Sequence, residues 1–170
     1  MDTNPTHRHP SEIVRLGVPL VDAALPMFEG ATYYRSLVVV AGEAKDPVLA
    51  AIFRQITEAL RLFGAHVVPY VPDAQVEGAV VVAEEISTPR GFEALMRVAQ
   101  AGNIVLASTI LLRNGALPAG THYPSTILSV RRGKTQHDRV LRCEKHRFGR
   151  DNGEIPLLYN SEANTLSVVV

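Results

Sequence analysis

The sequence predicts a three-layer α/β domain with a central, mostly parallel sheet and antiparallel hairpins on its C-terminal side. Three observations carry this. As far as Arg113, β-branched apolar runs alternate with segments of helical periodicity, and strands alternating with helices call for a parallel sheet with right-handed crossovers. Beyond Arg113 the helical period disappears and short strand-like segments follow one another across polar turns. Neither half is long enough to close its own core comfortably, so the 170 residues read as one domain with a mixed sheet.

Residues 1–10 (MDTNPTHRHP) are polar and read as a mobile arm, with the single domain running from 11 to 170. His7 and His9 have no further close ligand, so no metal site is expected there. Residues 11–31 carry short apolar groups broken by Gly17, Pro19, Pro26 and Gly30, which suggests a short helical turn leading into a loop. SLVVVA (36–41) reads as a buried parallel strand. The next segment is helical: Leu49, Ile52, Phe53, Ile56, Ala59, Leu60 and Phe63 recur at three and four, with Arg54, Gln55, Glu58 and Arg61 opposite. Asp46 and Pro47 suit its N-cap and first position, and Gly64 its stop. HVVPYV, AVVVAEE and NIVLASTIL supply further strands, and PRGFEALMRVAQAG a second helix ended by Gly102. STILSVRRG, RVLRCEKHRFG, EIPLLYN and TLSVVV then read as antiparallel hairpins at the sheet edge.

Seventeen basic and seventeen acidic residues cancel, so no global field favours a polyanion and nucleic-acid contact would need a local patch. The lone Cys143 can form no internal disulfide, no N-terminal apolar run follows the polar start, and no stretch approaches the length of a membrane span. A cytoplasmic protein without membrane contact is expected.

The informative position is the first strand-to-helix turn, where parallel α/β domains hold phosphates. A working loop needs G-x-x-x-x-G-K-[ST], whose glycines expose N–H groups, whose Lys neutralises phosphate and whose hydroxyl holds magnesium. This chain has Gly42-Glu43-Ala44-Lys45-Asp46-Pro47. Only the first Gly is in place and Lys45 is misplaced. Pro47 removes a donor, and Glu43 and Asp46 add negative charge where an anion would dock. A structural turn is the favoured reading, with Gly42 and Lys45 as a remnant and no bound cofactor; ATP and magnesium are disfavoured. Glu84 and Glu85 end the third strand, where a carboxylate could activate water or simply sit as strand-exit charge.

The order of parts resembles the RecA-like ATPase core, particularly RadA repair proteins and hexameric replicative helicases of the DnaB and phage T7 type. Residues 15–31 resemble that family's TGIPELDALLGGG segment, and SLVVVAGEAKDPVLAAIFRQI stands where strand, phosphate loop and helix belong. RVLRCEKHRFGRDNGEIPLLYN (139–160) resembles its RxLRxxKNRFGxxxEIxxF strand pair, the most distinctive stretch. The resemblance implies a RecA-like three-layer fold with a degenerate Walker A loop. It also implies that Lys145 and Arg147 match the K-x-R-F-G cations that reach a neighbouring subunit's nucleotide or nearby nucleic acid. The alternative is that both are solvated residues of a strand whose alternate side chains, Cys143 and His146 excepted, face the core.

Residues 79–109 also resemble the VGEIRDxETxxxAxxxAxTGHLVLAT segment of secretion and pilus-retraction ATPases, which share the core; Ser87 replaces that motif's Arg. Arg131, Arg132, Lys134, Arg139, Arg142, Lys145, Arg147 and Arg150 give the C-terminal hairpins a positive bias, open to DNA phosphates, an acidic protein surface or edge protection. The expectation is therefore a RecA-like pseudo-ATPase acting by protein or DNA binding in a repair, recombination or replication assembly. Its surface would be Arg131, Arg132, Lys145 and Arg147, and its partner a protein or a further copy of the chain. The rivals are an active ATPase using Lys45 with Glu84 or Glu85, and a secretion-type structural subunit.

Overall fold

The structure, a computed structural model, describes residues 13–15, 31–33, 35–62, 64–146 and 153–169. The proposed arm, the His7/His9 pair, Phe63, Arg147 and Arg150 lie outside the described residues. One eight-stranded sheet forms the centre. Its strands are β3 (Leu37–Gly42), β4 (Val67–Pro69), β5 (Val80–Ala83), β6 (Ile104–Ile110), β7 (Thr126–Arg132), β8 (Asp138–His146), β9 (Glu154–Asn160) and β10 (Thr165–Val168), in the order β10-β9-β8-β7-β3-β6-β5-β4. β4, β5, β6, β3 and β7 run parallel, and β8, β9 and β10 continue antiparallel.

Among the described residues, two helices cover the sheet. Helix α1 (Val48–Leu62) buries Leu49, Ile52, Phe53, Ile56 and Leu60, the predicted stripe, against a core that includes Val38, Val40, Leu106, Leu128, Leu141 and Leu157. Helix α2 (Pro89–Gln100) buries Phe92, Leu95 and Ala99 on the other face against Leu37, Val39, Val81, Val105 and Ile127. The Thr88 hydroxyl caps α2 by accepting from Gly91 N–H, with Pro89 opening the helix. Gly64, at φ +84°, ends α1.

β1 (Ile13–Arg15) pairs antiparallel with β2 (Ala31–Tyr33), consistent with the β-branched Ile13-Val14, and the helical turn expected within 11–31 otherwise falls outside the described residues. β7, which the sequence reads as the first of the antiparallel hairpins added to the sheet edge, pairs antiparallel with β8 and joins the sheet by running parallel beside β3. A parallel connection needs only enough chain to cross back, and the loop 111–125 provides it without a helix. This loop is packed down: Gly120, at φ +96°, lies so close to α2 that a Cβ there would stand 2.8 Å from both Phe92 Cδ2 and Pro89 Cα.

β8 carries a further irregularity. Its pairing with β7 shifts between Ile127 and Leu128, so that Glu144 is the extra residue and the facing parity changes. Arg139, Leu141 and Cys143 face inward before the shift and His146 after it, so Cys143 and His146 are buried rather than excepted from the core. His146 Nδ1 lies 2.8 Å from the Thr126 hydroxyl.

At the β10 edge, α1 substitutes for a missing strand. The Gln55 amide accepts from Leu166 N–H (2.8 Å) and donates to Leu166 C=O (3.2 Å), and Arg54 donates to Asn164 C=O (2.6 Å).

Candidate functional site

The carboxyl ends of β3, β5 and β6 border a cleft of about 600 Å³, in the position where parallel α/β domains hold ligands. Leu49, Ala50, Phe53 and Ile110 supply its apolar lining, and Glu43, Lys45, Asp46, Glu84 and Glu85 its charge. The structure thus brings the loop remnant and the acidic strand end, both singled out in the sequence, to one place.

The loop is short and closed. Asp46 N–H donates to Glu43 C=O (3.2 Å), and Lys45 adopts φ +65°, exposed to solvent. Counting the phosphate-loop pattern from Gly42 puts Pro47, Val48 and Leu49 where the second Gly, the Lys and the hydroxyl residue belong. Val48 and Leu49 are buried in the α1 core. Gly42 has a packing role: a Cβ there would come within 2.7 Å of Leu49 Cβ. The span that would wrap a phosphate is therefore folded onto the first turn of the helix. The same count, carried two residues past Pro47, exposes this in the sequence.

Asp46 is the unexpected residue. Its Oδ1 accepts from Val48 N–H (3.3 Å) as the expected helix cap, while Arg139, on β8, donates from Nε to Oδ2 (3.0 Å) and from Nη2 to Oδ1 (3.1 Å). Both side chains are almost fully buried, at 3% and 2% exposure. Arg139 Nη1 donates to the carbonyls of Gln136 (2.6 Å) and Asp138 (2.9 Å), and its guanidinium lies 5.6 Å from the centre of the Tyr159 ring. Both oxygens of Asp46 and all three guanidinium nitrogens of Arg139 have hydrogen-bond partners, as a buried charge requires. Glu43 is engaged as well: its carboxylate accepts from Arg132 N–H (3.1 Å) and lies 3.5 Å from Arg132 Nε.

Glu84 and Glu85 are exposed at the end of β5, and neither side chain has a partner among the described residues. Their backbone is fastened to β6: Glu85, at φ +55°, donates its N–H to the Ser108 hydroxyl (2.9 Å), Ile86 N–H donates to Ser108 C=O, and the Thr109 hydroxyl donates to Ile86 C=O. Ser108 and Thr109 thus have a structural task.

Of the six described C-terminal cations, Arg131, Arg132, Arg139 and Arg142 are matched by acids. Arg131 donates from Nη2 (2.7 Å) and Nε (3.1 Å) to Glu144 and from Nη1 to Gly115 C=O (2.8 Å). Arg142 pairs with Glu154 (3.0 Å), and Lys145 Nζ donates to His122 C=O (3.1 Å), tying β8 to the loop 111–125. Burial alone would raise the Glu144 carboxyl; hydrogen bonds from Ser129 and Arg131, with the charges of Arg131 and Arg142, outweigh it and hold it below its ordinary value. Lys134 stands exposed on the β7–β8 turn. Among the described residues no cluster of His, Cys, Asp and Glu forms a metal site, and no helix is long and apolar enough to cross a membrane.

No family model matches the chain, and no curated protein sequence matches it. Solved structures do. The ATPase domain of a DnaB-like helicase superposes with a TM-score of 0.73 at 10% identity, over 92% of this chain and 91% of that one. The flagellar accessory protein FlaH from Methanocaldococcus jannaschii superposes with a TM-score of 0.67 at 8% identity, over 94% of this chain and 100% of that one. The fold is that of the RecA-like P-loop ATPase core.

Proposed function

We propose that this chain is a non-hydrolysing RecA-like module that works by binding, as a subunit or regulator of a DNA repair, recombination or replication assembly. The observation that carries the non-hydrolysing part is Pro47-Val48-Leu49 in the span of the phosphate-binding residues, with Val48 and Leu49 buried. No lysine stands where a γ-phosphate would be neutralised and no hydroxyl where magnesium would be held. The resemblance of residues 139–160 to the RadA and DnaB type supports the choice of assembly. A protein surface, or a second copy of the chain, is the favoured partner. Arg131, Arg132 and Arg142 already hold carboxylates, so binding DNA through them would break ion pairs as well as displace counterions. DNA contact through Lys134, Lys145 and Arg147 is the second mode of binding.

Calorimetric titration with ATP and magnesium, followed by a phosphate-release assay, tests the reading. The expected result is no micromolar binding and no turnover; micromolar binding with turnover overturns it in favour of an ATPase using Lys45 with Glu84 or Glu85. Retention on DNA at low salt, lost on replacing Lys134, Lys145 and Arg147, would select the DNA-binding mode. A structural subunit of a secretion-type machine is the second reading, favoured by the resemblance of residues 79–109 and by the likeness to a flagellar accessory protein.

A further inference from the structure

We propose that Asp46 is a tethered stand-in for a ligand phosphate: its carboxylate fills an anion seat built from Arg139 and the N-terminus of α1, holding shut a latent phosphate site. The proposal rests on the reading that the intact chain takes no phosphate at this loop, but on a different observation, namely what occupies the loop rather than which groups it lacks.

The seat has two independent parts. The first turn of a fifteen-residue helix presents the positive end of its dipole and the Val48 N–H from which Asp46 Oδ1 accepts, both of which favour an anion. The second part is Arg139, whose planar fork fits a carboxylate or a phosphate equally well and is aimed at the helix start from a strand 93 positions away in sequence. Its aim does not depend on Asp46. The bonds of Nη1 to Gln136 and Asp138 and the packing over Tyr159 fix the guanidinium from behind. Stability is a weak reason for such a pair, because apolar side chains of similar volume commonly serve a core as well or better. An oriented, buried guanidinium facing a helix N-terminus is what a phosphate site requires. Asp46 also lines the open cleft, so an anion replacing its carboxylate has a route in from solvent.

The latch has a mechanical side. Asp46 binds Arg139 and Glu43 binds Arg132, so both loop carboxylates tie the phosphate loop to the β7–β8 hairpin. Arg139 is itself held by Gln136 in the exposed turn of that hairpin and by Asp138 at the start of β8. A partner that displaced the turn would withdraw the cation and the plug together.

The test is anion rescue in the full chain. Asp46→Ala removes the carboxylate and leaves Arg139 in place; thermal unfolding is followed in inorganic phosphate and in chloride at matched ionic strength. Phosphate is expected to raise the melting temperature of Asp46→Ala by about 4 °C or more. It should leave the wild type and the Asp46→Ala/Arg139→Met double variant unmoved. Should Asp46→Ala fail to fold, Asp46→Ser takes its place, keeping a capping hydroxyl for the helix while withdrawing the carboxylate from the Arg139 seat. An equal response of the single and double variants overturns the proposal, as does rescue by formate without rescue by phosphate. ATP turnover by the wild type would sink the non-hydrolysing reading. A wild type inert to ATP together with an Asp46→Ala protein indifferent to phosphate would sink the latch alone.

Discussion

Replacing Gln55 by Ala removes the side chain that caps the outer edge of the sheet. Two hydrogen bonds to Leu166 are lost, each with a net contribution of about 0.5–1.5 kcal/mol, so the variant should lose about 2 kcal/mol. For a domain of this length, each kcal/mol corresponds to about 2–4 °C in melting temperature, giving an expected fall of about 4–8 °C. The loss has a second signature. Leu166 N–H and C=O, freed of the amide, become a template for another chain's strand. Gln55→Ala should therefore associate as its concentration rises, over a range where the wild type elutes unchanged. Thermal melts by circular dichroism and size-exclusion chromatography across that range read the two effects separately. Gln55→Glu, which retains an acceptor for Leu166 N–H but places charge against Leu166 C=O, should fall between the two. A melting temperature within about 1 °C of wild type, with unchanged elution, would refute the view that Gln55 serves as a surrogate strand.

Arg139→Met leaves the Asp46 carboxylate buried without its cation and should lower stability by about 3–5 kcal/mol in urea denaturation. Adding Asp46→Leu should recover most of that, and failure to recover would mean that the pair is not the source of the loss. Glu144→Gln probes the lowered carboxyl. An acid whose folded pKa is depressed contributes stability that is full above its unfolded value, about 4.3, and is lost as pH falls through the folded one. The wild type should therefore exceed Glu144→Gln by about 1 kcal/mol at neutral pH. The gap should close in melts below about pH 4; a gap that widened there would contradict the assignment. Gly120→Ala combines a left-handed backbone with collisions against Phe92 and Pro89, and should cost about 2–4 kcal/mol by the same measurement.

The alternation of strands and helices from 36 to 110 is legible in the sequence because each element is long enough for its period to show. Leu49, Ile52, Phe53, Ile56 and Leu60 face the core as their spacing requires. β1 and β2 are three residues each, too short to show a period, and the loop 111–125 carries no signal that tells a crossover from a hairpin. The acidic loop residues Glu43 and Asp46 are visible in the sequence as a fault in a phosphate site. Their partners are not, because Arg132 and Arg139 lie some ninety positions away and pair with them only through the sheet order. For the same reason the C-terminal basic run reads as surface charge in the sequence, although Glu43, Asp46, Glu144 and Glu154 meet it in space.

The order of the strands also sets a schedule for synthesis. β3 lies at the centre of the sheet, yet both of its hydrogen-bonded neighbours, β6 and β7, are made after it, and β5 likewise waits for β6. Until Ile104–Ile110 leaves the ribosome, the Leu37–Ala41 run has no strand to pair with among the described residues, and an apolar strand so exposed is prone to misassociation. β6 is therefore the segment whose arrival turns two unfinished pieces into one domain, and a nascent chain stalled before it is the form of this protein that would most need a chaperone.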